Sequence, residues 1–200
     1  MLQDNVIAPH VDFTHEPFAH HLQKTIDRWR NGPEDGVYGS VGHDHIVLPI
    51  LVRELDPTWA FLWREPLPLI MSALGWRRRN RKRMPTDGET LLRAFYTFAG
   101  LDSALMFAEK MGVKPTHWHF DQYTKGKGLR LLAKEFGLDL RAKLIHAKKR
   151  GVNATPGKFK VTERNCTKKV LDYVKELEEL FPRVKQGLEL ARERKNAAGF

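Results

Sequence analysis

A chain of 200 residues that is 42% hydrophobic, with five Trp and eleven Phe, can bury one good core or two small ones, which excludes disorder throughout. No stretch approaches the roughly 20 apolar residues of a membrane-spanning helix, and the opening MLQDNVIAPHVDFTHEPFAHH lacks the basic-then-apolar order of a secretory signal. No membrane span is expected, and the cytoplasm is the expected compartment. The single cysteine, Cys166, excludes an internal disulfide and a paired-cysteine zinc knuckle. The net charge of +10 is unevenly spread: residues 1–76 carry 5 Lys/Arg against 10 Asp/Glu, 77–124 carry 9 against 5, 125–170 carry 14 against 3, and 171–200 carry 6 against 6. A basic middle of this kind attracts polyanions.

In chain order, Phe18, Leu22, Ile26 and Trp29 recur at helical spacing and predict an amphipathic helix that ends at the turn cluster NGPEDG. The apolar run in VYGSVGHDHIVLPILVREL fits a buried strand or a buried helix, with a helix from near Pro49 favoured. PLPLIMSALGW predicts a short helix with Pro near its start. In PTDGETLLRAF, Thr86 or Asp87 can cap a helix whose first turn holds Glu89 or Thr90. From there to residue 150 the pattern is helix after helix, broken at Gly100, Gly112, Gly126 with Gly128, and Gly137. GVNATPGKFK is a basic loop, and the last helical stretch is interrupted by Pro182. The expected fold is mainly α, a multi-helix globular protein with helix-turn-helix-like segments in its C-terminal half. The expected organisation is an acidic helical region over 1–76, a basic arm or linker over 77–84, and a basic helical region with a C-terminal helix over 85–200.

Two segments carry the helix-turn-helix likeness, FAEKMGVKPTHWHF at 107–120 and LAKEFGLDLRAKLI at 132–145. Each has alanine, three residues, glycine and an aliphatic residue: Ala108 to Gly112 with Val113, and Ala133 to Gly137 with Leu138. In a helix-turn-helix the small residue permits close approach, the glycine turns the chain, and the aliphatic residue seals the core beneath the recognition helix. The second helices would be PTHWHFDQY and LRAKLIHAKKR. The same pattern also marks an ordinary Schellman stop, which needs no DNA.

The run from Arg77 to Arg83 packs six cations, Arg77, Arg78, Arg79, Arg81, Lys82 and Arg83, into seven residues. Arginine grips phosphate through two N–H groups, and like charges three and four apart repel within a helix, so the run is expected as an exposed arm or loop. With it, Lys125, Lys127, Arg141, Lys143, Lys148, Lys149 and Arg150 make the expected nucleic-acid-binding face, with DNA preferred over RNA. Trp118, with Trp76, Phe120 and Tyr123 near the same charges, could stack on unpaired bases, although such aromatics more often belong to the core. The acidic N-terminal region is a possible protein-contacting surface.

The histidines form two His-x-His pairs, His43 with His45 and His117 with His119, which could chelate a metal with Asp44 or Asp121 as oxygen donor. DHIVLP superficially resembles the core of HNH-type nucleases, but no asparagine follows until Asn80 and no cysteine pairs frame such a unit. If the chain were a nuclease, Glu135, Asp139 and Glu163 would be the acids inside the basic segment. No phosphate loop, dinucleotide-binding glycine motif or nucleophile elbow is present in the sequence, and no cofactor is expected. Cations beside Cys166 would lower its pKa, but no base is identifiable and the thiol reads as incidental. The function expected is therefore an accessory or regulatory nucleic-acid-binding protein, for example in transcription, replication or plasmid and phage maintenance. The alternatives are an adaptor or inhibitor of a nucleoprotein machine and a metal-dependent nuclease.

Overall fold

A computed structural model describes residues 4–15, 19–41, 48–81, 83–123, 126–144 and 161–199. The fold is mainly helical, with helices α1 (Ala19–Arg30), α2 (Leu48–Leu55), α3 (Pro66–Arg81), α4 (Asp87–Lys110), α5 (Phe120–Tyr123), α6 (Gly126–Glu135), α7 (Lys168–Leu180) and α8 (Pro182–Ala197). Four short strands accompany them, β1 (Val11–His15), β2 (Val37–Val41), β3 (Ala60–Trp63) and β4 (Thr116–His119). Strands β1 and β2 are parallel, from Val11 opposite Val37 to His15 opposite Val41, and β3 pairs with β4. Among the described residues, no helix is long and apolar enough to cross a membrane.

The chain divides into two compact units, the first made of Met1–Phe61, Met106–Thr116 and Asp121–Ala147, the second of Leu62–Leu105, His117–Phe120 and Lys148–Phe200. In the first, α1 turns Leu22, Ile26 and Trp29 onto Leu51 of α2, with Tyr38, Leu55 and Trp59 packed around them. These are three of the four residues of the predicted stripe; Phe18 lies outside the described residues. Asp12 of β1 accepts from the Arg28 guanidinium at 2.6 Å and the Trp29 indole N–H at 3.0 Å, fastening α1 to the strand pair. The N-terminal chain is tied to the segment after α6: Ile7 N–H donates to Asp139 O, and Arg141 N–H to Asn5 O, each at 2.9 Å.

In the second unit the core draws Ile70, Met71 and Leu74 from α3, Phe98 from α4, Val170, Val174 and Leu177 from α7, and Val184, Leu188 and Ala191 from α8. Each of these side chains except Ala191 contributes on the order of 1.5–3 kcal/mol by leaving water. Helices α7 and α8 meet at Phe181, with Pro182 opening α8 where its missing N–H costs nothing. They form the helix-turn-helix-like pair of the C-terminal half. It lies downstream of the two segments from which such a pair was expected.

Those two segments keep their stops but take other structures afterwards. Gly112 and Gly137 both adopt positive φ, 68° and 65°, and the N–H groups of Val113 and Leu138 reach back to Ala108 O and Ala133 O in Schellman fashion. PTHWHFDQY then forms β4 and the four-residue α5, not a recognition helix. Pro115 lacks a backbone N–H and biases the residue before it towards extended chain, while Thr116 and Trp118 suit a strand. In the second copy Leu140 forms an isolated bridge with Val6, and residues 138–144 are not helical.

Gly100 does not break α4, which runs through it to Lys110; Gly126 opens α6 after the break that follows α5, and Gly128 lies inside α6. A glycine within a long helix costs only about 1 kcal/mol, which the packing of neighbouring turns offsets. The expected basic loop at 151–160 lies outside the described residues.

Candidate nucleic-acid interface

The arginine run departs most from expectation. Residues 77–81 continue α3 as helix and are not a loop. Starting a helix is the costly step, and the buried apolar turns between Pro66 and Leu74 have already met that cost; arginine extends a helix well, so i, i+4 repulsion worth a few tenths of a kcal/mol does not stop it. Positions 77 and 81 therefore stand one turn apart, about 6 Å along the axis. Arg78 is half-buried; the side chains of Arg77, Arg79 and Arg81, and the whole of Lys82, lie outside the described residues.

Arg83 is committed to the fold. Its guanidinium grips Glu89 through two N–H groups at 2.7 and 2.8 Å. Glu89 also accepts the backbone N–H of Thr86 at 3.0 Å, and Thr86 Oγ1 accepts the N–H of Glu89 at 3.2 Å. This reciprocal capping box starts α4 and anchors the end of the arginine run to it.

In the first unit Lys127, Arg141 and Lys143 are exposed. Arg130, on the surface of α6, turns its guanidinium back onto the chain and donates to the carbonyls of Arg141 at 3.3 Å and Ala142 at 2.5 Å. It braces the root of the basic segment. Lys125, Lys148, Lys149 and Arg150 lie outside the described residues, as do His43 and His45.

Trp118 is 2% exposed, and the Arg194 guanidinium lies over its ring, 4.7 Å from the centroid. Its face is taken by a cation of its own chain. Phe120 stays at the surface with Arg64 over it at 5.4 Å; the side chains of Trp76 and Tyr123 are outside the described residues.

His117 and His119 enter a polar network in the second unit. The Trp63 indole N–H donates to His117 Nδ1 at 2.8 Å. Burial, then the Arg194 cation, holds His117 below its ordinary pKa. His119 is buried, with Nε2 3.4 Å from Glu65 Oε1. Glu65 is gripped by Arg192 through both carboxylate oxygens, and this pairing, with His119 adding, lowers its pKa against the cost of burial. Glu178 is moved the other way, chiefly by burial. Gly187 lets α8 close on this site: a Cβ there would meet the Trp63 ring at 2.3 Å. The two rings of the His-x-His pair thus serve different partners, and among the described residues no group of three or more His, Cys, Asp or Glu is arranged to hold a metal. Cys166 does not follow its basic neighbours: burial, then Asp87 and Glu163, pushes the thiol up.

Sequence reading did not anticipate Trp63, Glu65, Arg192 or Arg194. Glu65 and Arg192 are 127 positions apart, and no local pattern joins them. Comparisons with protein-family models, with curated proteins and with solved structures find no match.

Proposed function

We propose that the chain binds nucleic acid, duplex DNA in preference to RNA, as an accessory or regulatory protein of the cytoplasm. The principal contact is the arginine run at the end of α3, assisted by the basic segment from Lys125 to Arg150. The helical state of residues 77–81 carries the reading. A helix admits its cations to a DNA groove at fixed spacing, whereas a loop would have to be ordered on binding. Support also comes from the excess of 14 Lys/Arg over 3 Asp/Glu across residues 125–170. Phosphate contact supplies affinity through counterion release and carries no sequence choice.

Binding of the purified chain to labelled duplex DNA, single-stranded DNA and RNA at two salt concentrations, with and without Mg²⁺, tests this. Duplex binding that weakens steeply with salt is expected. Arg77→Glu with Arg81→Glu, one helical turn apart on the same face, should lower the salt slope by about two, at roughly 0.9 per phosphate contact. An unchanged slope would remove α3 from the interface. No binding at low salt would turn the reading to an acidic protein partner, and Mg²⁺-dependent cleavage lost in His119→Ala would turn it to a nuclease.

A further inference from the structure

In the first unit, the chain between α6 and Lys143 is pinned from two sides. Residues 5–7 hold it through the backbone. Asn5 and Val6 are buried, Val6 bridges Leu140, and the bonds from Ile7 N–H to Asp139 O and from Arg141 N–H to Asn5 O flank that bridge. Arg130 holds it from the helix. Its side chain is exposed, but it leaves a turn of α6 whose Leu129, Leu132 and Ala133 are buried, so its root is fixed. Its Nη2 then donates to the successive carbonyls of Arg141 and Ala142, where the chain bends at Ala142 and Lys143. The exposed cations Arg141 and Lys143 stand on either side of Ala142.

We propose that Arg130 is a positioning residue for nucleic acid: by holding the carbonyls of Arg141 and Ala142 it sets the bend that presents Arg141 and Lys143, and it makes no phosphate contact of its own. This rests on the nucleic-acid reading above. A guanidinium nitrogen spent on two main-chain carbonyls is not offered to a phosphate, and the planar group keeps its direction once its donors are engaged. Side chains already in place lose less freedom on binding, whereas cations on an unheld chain reach the same phosphates only after that chain has been ordered.

The two roles open to a surface arginine separate in their salt dependence. Removing a phosphate contact lowers the slope of log affinity against log salt by about 0.9. Removing a brace leaves the same cations to release the same counterions, so the slope is kept and affinity falls by one factor at every salt concentration.

Binding of the full chain to labelled duplex DNA across a salt series, for the parent, Arg130→Ala and Lys143→Ala, tests the proposal. Arg130→Ala should weaken binding roughly tenfold, the ordering cost of two long side chains, on a line parallel to that of the parent. Lys143→Ala should lower the slope by about 0.9. Amide hydrogen exchange of the free proteins gives a second readout: in Arg130→Ala the Arg141 amide should exchange faster, while Leu132 and Ala133 inside α6 keep the rates of the parent and so exclude misfolding as the cause. A slope lower by about 0.9 in Arg130→Ala would make this residue a phosphate contact and overturn the proposal. An affinity equal to that of the parent, or an unchanged Arg141 amide, would overturn it as well. A parent chain that does not bind DNA would instead remove the nucleic-acid reading, and the positioning role with it.

Discussion

The indole N–H of Trp63 donates to Nδ1 of His117 at 2.8 Å, and the two rings lie stacked with centroids 5.7 Å apart. An imidazole that accepts at Nδ1 carries its proton on Nε2 and is neutral. Protonation would place a second N–H against the indole, and burial with the nearby Arg194 cation opposes it. The folded pKa is therefore below 6.5, so below that value the unfolded chain takes up a proton that the folded chain refuses. Stability from this site is complete above the ordinary histidine range and falls with pH until the lower folded value is reached. Denaturation from neutral to mildly acidic pH should show the decline, and His117→Gln should flatten it. Equal slopes in both proteins would disprove the assignment.

Glu178 gives the opposite sign. Burial raises its carboxyl, Glu65 and Glu179 add to the effect, and Arg192 and Lys185 oppose it. A carboxyl raised in the fold contributes stability below the unfolded value and loses it as pH climbs through the folded one. At neutral pH the ionised group is thus a cost, and Glu178→Gln should raise the melting temperature there by more than it does near pH 4. A loss at neutral pH would mean that Glu178 accepts bonds the fold depends on.

How much of this was legible in sequence depended on how local each cause is. The stripe of Leu22, Ile26 and Trp29, the capping box of Thr86 and Glu89, and the glycine stops at 112 and 137 all rest on residues within one or two turns, and the structure has each of them. Strands of four or five residues carry little signal of their own, and β4 exists through its pairing with a segment more than fifty positions away. The network of Glu65, His119 and Arg192 is non-local in the same way. The helical state of Arg77 to Arg81 is hidden from sequence for another reason: like-charge repulsion is a local signal, while the helix is secured by the buried apolar half that precedes it.

The capping box gives a prediction that separates folding from binding. Thr86→Ala removes the acceptor for the Glu89 N–H and should cost about 1 kcal/mol in chemical denaturation. Arg83→Ala frees Glu89 without touching the helical arginines. It should leave the salt slope of DNA binding close to that of the parent, unlike Arg77→Glu with Arg81→Glu. A slope that falls by one in Arg83→Ala would show that this residue abandons Glu89 for phosphate.

Two glycine-to-alanine changes should have opposite signs. At Gly128 in α6 an added Cβ would sit 2.0 Å from the backbone carbonyl oxygen of Gln122, a residue with no exposure at all. Backbone cannot rotate aside as a side chain can, so the helix must shift, and a loss on the order of 1–3 kcal/mol or more is expected. At Gly100, in the interior of α4, nothing lies within 4 Å of the new Cβ. There alanine only restricts the unfolded chain and favours the helix, a gain of about 0.5–1 kcal/mol. Urea denaturation of the two variants beside the parent checks both signs, and a neutral Gly128→Ala would mean that α6 does not press on Gln122 in solution.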